Sequence, residues 1–297
     1  MTQISAPSKT DQQLQLPDGR TLGFAEYGSA EGNVLFYCHG YPGSRFEAGV
    51  LDEIGRETGT RIISLDRPGM GLSTFQPGRT FLDWPGDVAA LADHLLVDRF
   101  AVVGASGGGP YALACACKMP DRLISCGVVS GMGPLELGTA GMSRSNRFIF
   151  FCARRLPWLL TPIFRAMARS LRNEEKTRKT MAKTMQHMVR PDREALQAFG
   201  AENIFAATAA EAFRQGVRGA VYEGRLYGGP WGFRLEALAF QPLYLWHGEL
   251  DRNVPVGMAR LMASRISRCQ ATFYPDEGHI SAPLNHQKEI LLTLLPR

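Results

Sequence analysis

The stretch F-A-V-V-G-A-S-G-G-G-P, residues 100–110, places a serine between an apolar strand and a helix. A strand that passes directly into a helix forces one residue into strained backbone, and Gly104 and Gly108 remove side chains that would collide there. Two adjacent valines put apolar groups on both faces, as a parallel strand covered by helices requires. The stretch therefore predicts a nucleophile elbow, a sharp turn that exposes Ser106.

The order strand, loop, helix recurs on both sides of this turn. Continuously apolar or half-apolar segments predict strands at Thr21–Gly28, Asn33–Gly40, 61–66, Leu123–Ser130, Pro242–Trp246 and Gln270–Tyr274. Repeated units of this kind predict an α/β fold with a doubly wound, mostly parallel sheet. We expect a flexible tail at 1–13, a core formed by 14–130 and 240–297, and an inserted α-helical cap at 131–239, because the strand pattern disappears there.

The predicted cap also carries most of the positive charge. It holds 17 Lys and Arg against 9 Asp and Glu, in a chain of 297 residues whose net charge is +5. A solvated helical face explains this charge most simply, and attraction of an anionic substrate or a membrane surface is the alternative. Nothing in the pattern favours nucleic acid as a partner.

Composition favours a cytoplasmic protein. The apolar run at 148–153 is far shorter than the roughly 20 residues that span a bilayer, and the N-terminus lacks the apolar stretch of a secretory signal. The six cysteines show no spacing typical of disulfides or zinc sites, so we interpret them as reduced core residues. The sequence predicts no metal and no cofactor.

A serine hydroxyl needs a base to become a good nucleophile, and that base needs a carboxylate to orient it. Asp251 follows the strand that ends at Trp246, and His279 follows the next strand. The carboxyl ends of parallel strands share one edge of a sheet, so we predict Ser106 as nucleophile, His279 as base and Asp251 as acid. Glu249 is the alternative acid.

The other histidines fit the role of base less well. His94, His187 and His286 fall in or near helices, whereas His39 and His247 sit in glycine-containing turns where a loop-shaping hydrogen bond is expected.

Attack on a carbonyl builds negative charge on its oxygen, which needs fixed donors. The backbone N–H of Gly107 lies at a helix N-terminus, and that of Tyr41 lies in the turn H-G-Y-P-G. We predict these two as an oxyanion hole, with Gly43 only turning the chain. The predicted cap has more large apolar side chains than its own core needs, so some of them are expected to line a substrate pocket. The tentative pocket comprises His39, Tyr41, Phe148, Phe151, Trp158, Met185 and Trp231.

Taken together, H-G-Y-P-G, D-R-P-G-M-G-L-S, G-A-S-G-G, H-G-E-L-D and the final G-H resemble the α/β-hydrolase superfamily over about residues 15–295. The loops are similar to those of epoxide hydrolases, haloalkane dehalogenases, proline iminopeptidases and C–C bond hydrolases. Epoxide hydrolases and dehalogenases of this fold use an aspartate at the elbow. The serine of this chain therefore favours acyl transfer, and the resemblance implies a cis peptide bond between Tyr41 and Pro42.

The leading hypothesis is a serine hydrolase, such as an esterase, that cleaves an ester, lactone or activated ketone of a small, mainly apolar molecule. The same triad in C–C cleavage, or in a lyase, isomerase or cyclase step, is the second hypothesis. The third is a ligand-binding protein with a vestigial triad, against which the complete set of residues argues. The sequence leaves the oligomeric state open.

Overall fold

The computed structural model describes residues 9–296, apart from the side chain of Glu174. The strands are β1 (Gln12–Gln15), β2 (Thr21–Gly28), β3 (Asn33–Cys38), β4 (Thr60–Leu65), β5 (Phe100–Ala105), β6 (Leu123–Val129), β7 (Leu243–Gly248) and β8 (Gln270–Tyr274). They form one sheet in the order β1-β2-β4-β3-β5-β6-β7-β8. The pairs from β4 through β8 are parallel, and the first two pairs are antiparallel. This confirms the predicted α/β class.

The described part of the chain contains these α-helices: α1 (Asp52–Thr58), α2 (Trp84–His94), α3 (Gly109–Lys118), α4 (Arg144–Arg155), α5 (Leu160–Leu171), α6 (Glu174–His187), α7 (Arg190–Ala198), α8 (Glu202–Ala212), α9 (Arg218–Gly228), α10 (Val256–Arg265), α11 (Ser281–Asn285) and α12 (Gln287–Leu294). Strand β1 begins inside the segment predicted as a tail, of which residues 1–8 lie outside the described part. No helix in residues 9–296 is both long and apolar enough to cross a membrane.

Two apolar cores cover the faces of the sheet, and β5 contributes to both. Phe100 and Val102 join the core formed with α2 and α3, whereas Ala101 and Val103 join the core formed with α12. Successive side chains of a strand point to opposite faces, so a strand buried on both sides must be apolar throughout. Burial on both faces holds β5 at one register in the sheet, so Ser106, which directly follows β5, also has a fixed position.

Helices α4 to α9 are inserted between β6 and β7 and form the cap. Their main apolar cluster buries Phe164 of α5, Phe213 after α8 and Val221 of α9, and it also includes Met70 from the core. The insertion starts beside the elbow, because the Met132 N–H donates a hydrogen bond of 2.8 Å to the carbonyl of Ser106. The cap therefore leaves the sheet at the edge where the predicted catalytic loops lie.

Candidate active site

Ser106 occupies a strained turn between β5 and α3. Its φ is +51°, in the left-handed region that residues with a side chain rarely adopt. A Cβ on Gly104 would lie 2.2 Å from the carbonyl oxygen of Gly108, and one on Gly108 would lie 1.9 Å from that of Cys38. No side chain fits at either position, so both glycines are required for β5 and α3 to meet at this angle.

The structure brings the three predicted catalytic residues together at the carboxyl edge of the sheet. The Oγ of Ser106 lies 3.0 Å from Nε2 of His279, and Nδ1 of His279 lies 2.7 Å from Oδ2 of Asp251. Asp251 follows β7 and His279 follows β8. The other oxygen of Asp251 accepts hydrogen bonds from the backbone N–H groups of Asn253 and Val254, at 2.7 and 2.9 Å. The carboxylate is therefore fixed before any substrate binds.

The charged forms of Asp251 and His279 stabilise each other. Burial alone would raise the pKa of Asp251, but the charge of His279 and hydrogen bonds from His247 and His279 hold it well below its ordinary value. Burial alone would lower the pKa of His279, but the negative charges of Asp251, Asp192 and Glu47 raise it above its ordinary value. The site thus favours the protonated form of the His279 imidazole.

His247 contacts the same carboxylate from the other side. It is fully buried, and its Nε2 lies 3.2 Å from Oδ2 of Asp251 and 2.9 Å from the carbonyl oxygen of Val254. Because both neighbours are acceptors, Nε2 carries the proton. His247 therefore holds Asp251 and its loop, in agreement with the loop-shaping role expected from its turn, and Glu249 pairs instead with Arg260.

The predicted oxyanion donors lie side by side. A Cβ on Gly107 would lie 3.1 Å from the backbone nitrogen of Tyr41, and the Tyr41–Pro42 peptide bond is cis. The buried guanidinium of Arg67 fixes the loop that contains Tyr41. Its Nη2 donates a hydrogen bond of 2.7 Å to the Gly40 carbonyl, and the guanidinium also donates to the carbonyl of His39.

Helix α9 of the cap completes this support. Glu223 forms a fully buried ion pair with Arg67, and the Tyr227 hydroxyl donates to the Gly107 carbonyl at 2.6 Å. The hydroxyl of Tyr41 donates to the Ala220 carbonyl at 2.7 Å. One face of α9 therefore contacts both backbone segments that contain the predicted oxyanion donors, Tyr41 and Gly107.

A second cap helix holds the loop that carries His279. Asp192 of α7 is buried and accepts hydrogen bonds from the backbone N–H groups of His279, Ile280 and Ser281, at 3.1, 2.9 and 2.9 Å. It also accepts from the Ser281 hydroxyl at 3.1 Å. Sequence reasoning missed Asp192, Glu223 and Tyr227, because their partners are 87 or more residues away and no local motif marks them.

A pocket of about 200 Å³ opens beside Ser106. Its wall is mainly apolar and combines core, cap and histidine-loop residues: Tyr37, Gly40, Tyr41, Pro42, Glu47, Val50, Ala105, Val129, Ser130, Phe205, Thr208, Ile280, Pro283 and Leu284. Glu47 is the acidic residue of this wall, and burial raises its pKa. Its Oε1 accepts hydrogen bonds from the Tyr37 hydroxyl and the Gly40 N–H, at 2.9 and 2.8 Å.

Of the seven residues predicted for the substrate pocket, the structure places Tyr41 in its wall. Phe148, Phe151 and Trp158 are instead 53%, 55% and 63% exposed on the outer surface of the cap. The cap presents Phe205 of α8 to the pocket, whereas α4 directs Phe148 and Phe151 to solvent and Trp158 lies in the turn after α4.

The other three predicted pocket residues have packing roles. Trp231 is buried against Phe81 in the main core, with ring centroids 5.5 Å apart, and Met185 packs on the apolar cluster that includes Phe205. His39 is fully buried behind the oxyanion loop, where its Nδ1 lies 2.8 Å from the Gly40 carbonyl oxygen. Burial and the charge of Arg67 lower its pKa well below the ordinary value, so His39 is a neutral structural residue.

The chain belongs to the family described as "alpha/beta hydrolase fold", whose family model matches residues 33–285. Among curated proteins, a putative proline iminopeptidase of Mycoplasma pneumoniae is 35% identical over 121 residues, which cover 40% of this chain and 39% of that protein. A bifunctional esterase/perhydrolase of Acinetobacter calcoaceticus is 30% identical over 124 residues, covering 41% of this chain and 45% of that protein. These matches thus span about two-fifths of each relative's length.

Solved structures share the fold over nearly the whole chain. An esterase of Rhodococcus sp. ECU1013 has a TM-score of 0.68 at 19% identity, covering 97% of this chain and 99% of its own. An enol-lactonase of Burkholderia xenovorans LB400 has a TM-score of 0.66 at 16% identity, covering 96% of this chain and all of its own. At such identities the similarity establishes the fold alone.

Proposed function

We propose that this protein is a serine hydrolase that cleaves an ester, lactone or activated ketone of a small, mainly apolar molecule through an acyl-enzyme. The observation that carries the proposal is the unbroken set of hydrogen bonds from Ser106 through His279 to Asp251 at the mouth of a pocket. The printed names of its relatives and fold neighbours include esterase and lactonase, which agrees with this chemistry. The free cysteines fit a cytoplasmic location.

In the proposed mechanism, Nε2 of His279 takes the proton of the Ser106 hydroxyl while Oγ attacks the substrate carbonyl carbon. The carbonyl oxygen becomes an oxyanion, which accepts hydrogen bonds from the N–H groups of Tyr41 and Gly107. His279 then gives its proton to the leaving group as the bond to the carbonyl carbon breaks. Water, deprotonated by His279, attacks the acyl-enzyme by the same route and releases the acid and free Ser106.

The pocket supports the proposed substrate class. Its volume of about 200 Å³ is below the 300–1,000 Å³ typical of sites for drug-sized ligands, so it fits a short acyl group. Leu284, Val129 and Val50 also line a smaller apolar cavity of about 40 Å³ on the side of the pocket nearer α12. An acyl chain is therefore the part of the substrate that these walls favour.

An active-site fluorophosphonate probe tests the proposal, because it labels only a serine activated by a base. We expect the native protein to be labelled and Ser106→Ala to be unlabelled, with turnover of a true ester substrate falling by about 10⁴-fold or more. Ser130→Ala is the matched control, since Ser130 lines the same pocket, is buried and also has a positive φ, of +46°.

Three results of this experiment are informative. Labelling of the native protein and of Ser130→Ala, but not of Ser106→Ala, supports the nucleophile assignment. A native protein that is not labelled would indicate a binding protein with a vestigial triad. Labelling without turnover of any ester, lactone or β-diketone would favour the non-hydrolytic use of the triad.

A further inference from the structure

A cavity of about 810 Å³ lies in the cap between α5 and α9, apart from the candidate active site. Its volume falls within the range of small-molecule sites. None of its described lining residues belongs to the pocket beside Ser106. The mechanism proposed above makes no use of this cavity.

Arginines dominate the rim of this cap cavity. Five line it: Arg165 and Arg169 on α5, Arg172 directly after α5, and Arg218 and Arg225 on α9. Their spacings of three, four and seven residues place each set on one face of its helix. No Asp or Glu lines the cavity, and none of the five pairs with a carboxylate in residues 9–296, the side chain of Glu174 aside.

Four other cationic side chains on the cap do have carboxylate partners: Lys179, Arg190, Arg214 and Arg234. Lys179 of α6 pairs with Glu175 at 2.5 Å, and Arg190 of α7 pairs with Glu194 at 2.6 Å. Arg144, Arg147, Arg154 and Arg155 of α4 also have no carboxylate partner in the described residues, so missing ion pairs alone do not mark the cap cavity. All five arginines of the cap cavity are solvent-exposed, and their convergence on one concavity with an apolar floor favours an anion there.

The floor of the cap cavity is apolar. Phe213 and Val221 are buried beneath it, and Val217, Ala168, Pro77 and Phe75 complete its lining. The guanidinium of Arg218 stacks on the ring of Phe75, 3.9 Å from its centroid. This contact holds the charged group over the apolar floor, so a ligand would meet both surfaces at once.

We propose that the cap cavity binds an amphipathic anion, a small molecule with a phosphate or carboxylate head and an apolar body. The guanidinium groups would bind the phosphate or carboxylate through charge-assisted, bidentate hydrogen bonds. The apolar body would cover Phe213, Val217 and Val221 and remove that surface from water. The proposal is independent of the hydrolase chemistry, since its residues and those of the candidate active site do not overlap.

Calorimetric titration with monomeric octyl phosphate tests the proposal. We expect saturable binding at one site, and at least about tenfold weaker binding to the double variant Arg169→Gln/Arg225→Gln, which removes one guanidinium from each helix. The matched control is Arg178→Gln/Lys183→Gln, which changes the net charge equally on α6. The control should bind within about twofold of the native protein, because neither side chain lines the cap cavity or the second arginine-lined pocket beside α4.

Two further ligands test whether the apolar body adds to binding and whether the protein binds a lipid bilayer instead of a single molecule. Inorganic phosphate should bind at least about tenfold more weakly than octyl phosphate, because it cannot cover the apolar floor. The proposal is overturned by equal losses in both double variants, by equal affinity for the two phosphates, or by binding only to phosphatidylglycerol vesicles. Should Arg169→Gln/Arg225→Gln fail to fold by circular dichroism, Arg165→Gln/Arg172→Gln takes its place with the same expected loss.

Discussion

At the scale of single residues, the candidate site is set by charges around one imidazole. Burial would lower the pKa of His279, but Asp251, Asp192 and Glu47 lie near enough to raise it. Asp251 accepts the hydrogen bond from the ring, at 2.7 Å, whereas Asp192 acts on the same residue through its backbone. The carboxylates therefore favour the protonated ring, which is the form that can donate a proton to the leaving group.

This arrangement predicts the pH dependence of catalysis. His279 must be neutral to accept the serine proton, and its raised pKa means that it stays protonated to a higher pH than an isolated histidine. We expect kcat/KM for a soluble activated ester to rise with pH, with an apparent pKa at or above the ordinary value of about 6.5. The measurement is a profile from pH 5 to 9 at constant ionic strength, corrected for spontaneous hydrolysis. A flat profile, with chemistry shown to be rate-limiting, contradicts a histidine base.

At the scale of secondary structure, two cap helices position the loops of the site. Helix α9 holds the oxyanion loop through Glu223 and Tyr227, and α7 holds the histidine loop through Asp192. A Cβ on Gly278 would lie 2.4 Å from Oδ1 of Asp192, so the glycine before His279 is what lets this carboxylate approach. The cap is thus expected to align the catalytic residues as well as to cover them.

Asp192→Asn tests this positioning role. The change keeps the shape of the side chain but removes its charge and turns one acceptor into a donor that faces the N–H of His279. We expect kcat/KM to fall by about tenfold or more, because a buried N–H loses its partner. The apparent pKa of the acid limb should also move to lower pH, since one negative charge near His279 is gone.

Glu194→Gln is the control for Asp192→Asn. It removes one negative charge from the same helix, but Glu194 is exposed and pairs with Arg190. Its kcat/KM and pH profile should match those of the native protein. An Asp192→Asn variant with a lowered melting temperature but native kcat/KM and acid limb for the folded protein would show that Asp192 acts only on stability.

At the scale of the whole molecule, the sequence predicted the positions of those residues that directly follow a strand of the parallel sheet. Ser106, Asp251 and His279 each follow a parallel strand, and the sheet order then brings their side chains together. The inner surface of the cap was not predictable in this way. Which helix face turns inward towards Ser106 depends on packing between α4, α5, α8 and α9, which joins residues far apart in the sequence.

Phe151 and Phe205 illustrate why the inner surface of the cap was not predictable from the sequence. Phe151 is as large and apolar as Phe205, and the sequence offers no local signal to tell them apart. Phe205 lies in the pocket wall because α8 packs beside Ser44, whose N–H donates to Thr208 at 2.9 Å. That contact joins residues 164 positions apart, so it becomes visible only once the cap has been placed on the sheet.

The cap should therefore control substrate size through α8 rather than α4. Phe205→Ala removes a large side chain from the wall of a pocket of about 200 Å³, which leaves room for a longer acyl chain. We expect the ratio of kcat/KM for an octanoyl ester to that for an acetyl ester to rise by about tenfold, the effect of a few methylene groups in an apolar pocket. Phe151→Ala, the same change at a residue that is 55% exposed, should leave this ratio within about twofold. Melting curves for both variants identify any loss caused by unfolding of the cap, and equal ratios in the two variants would place the acyl group elsewhere.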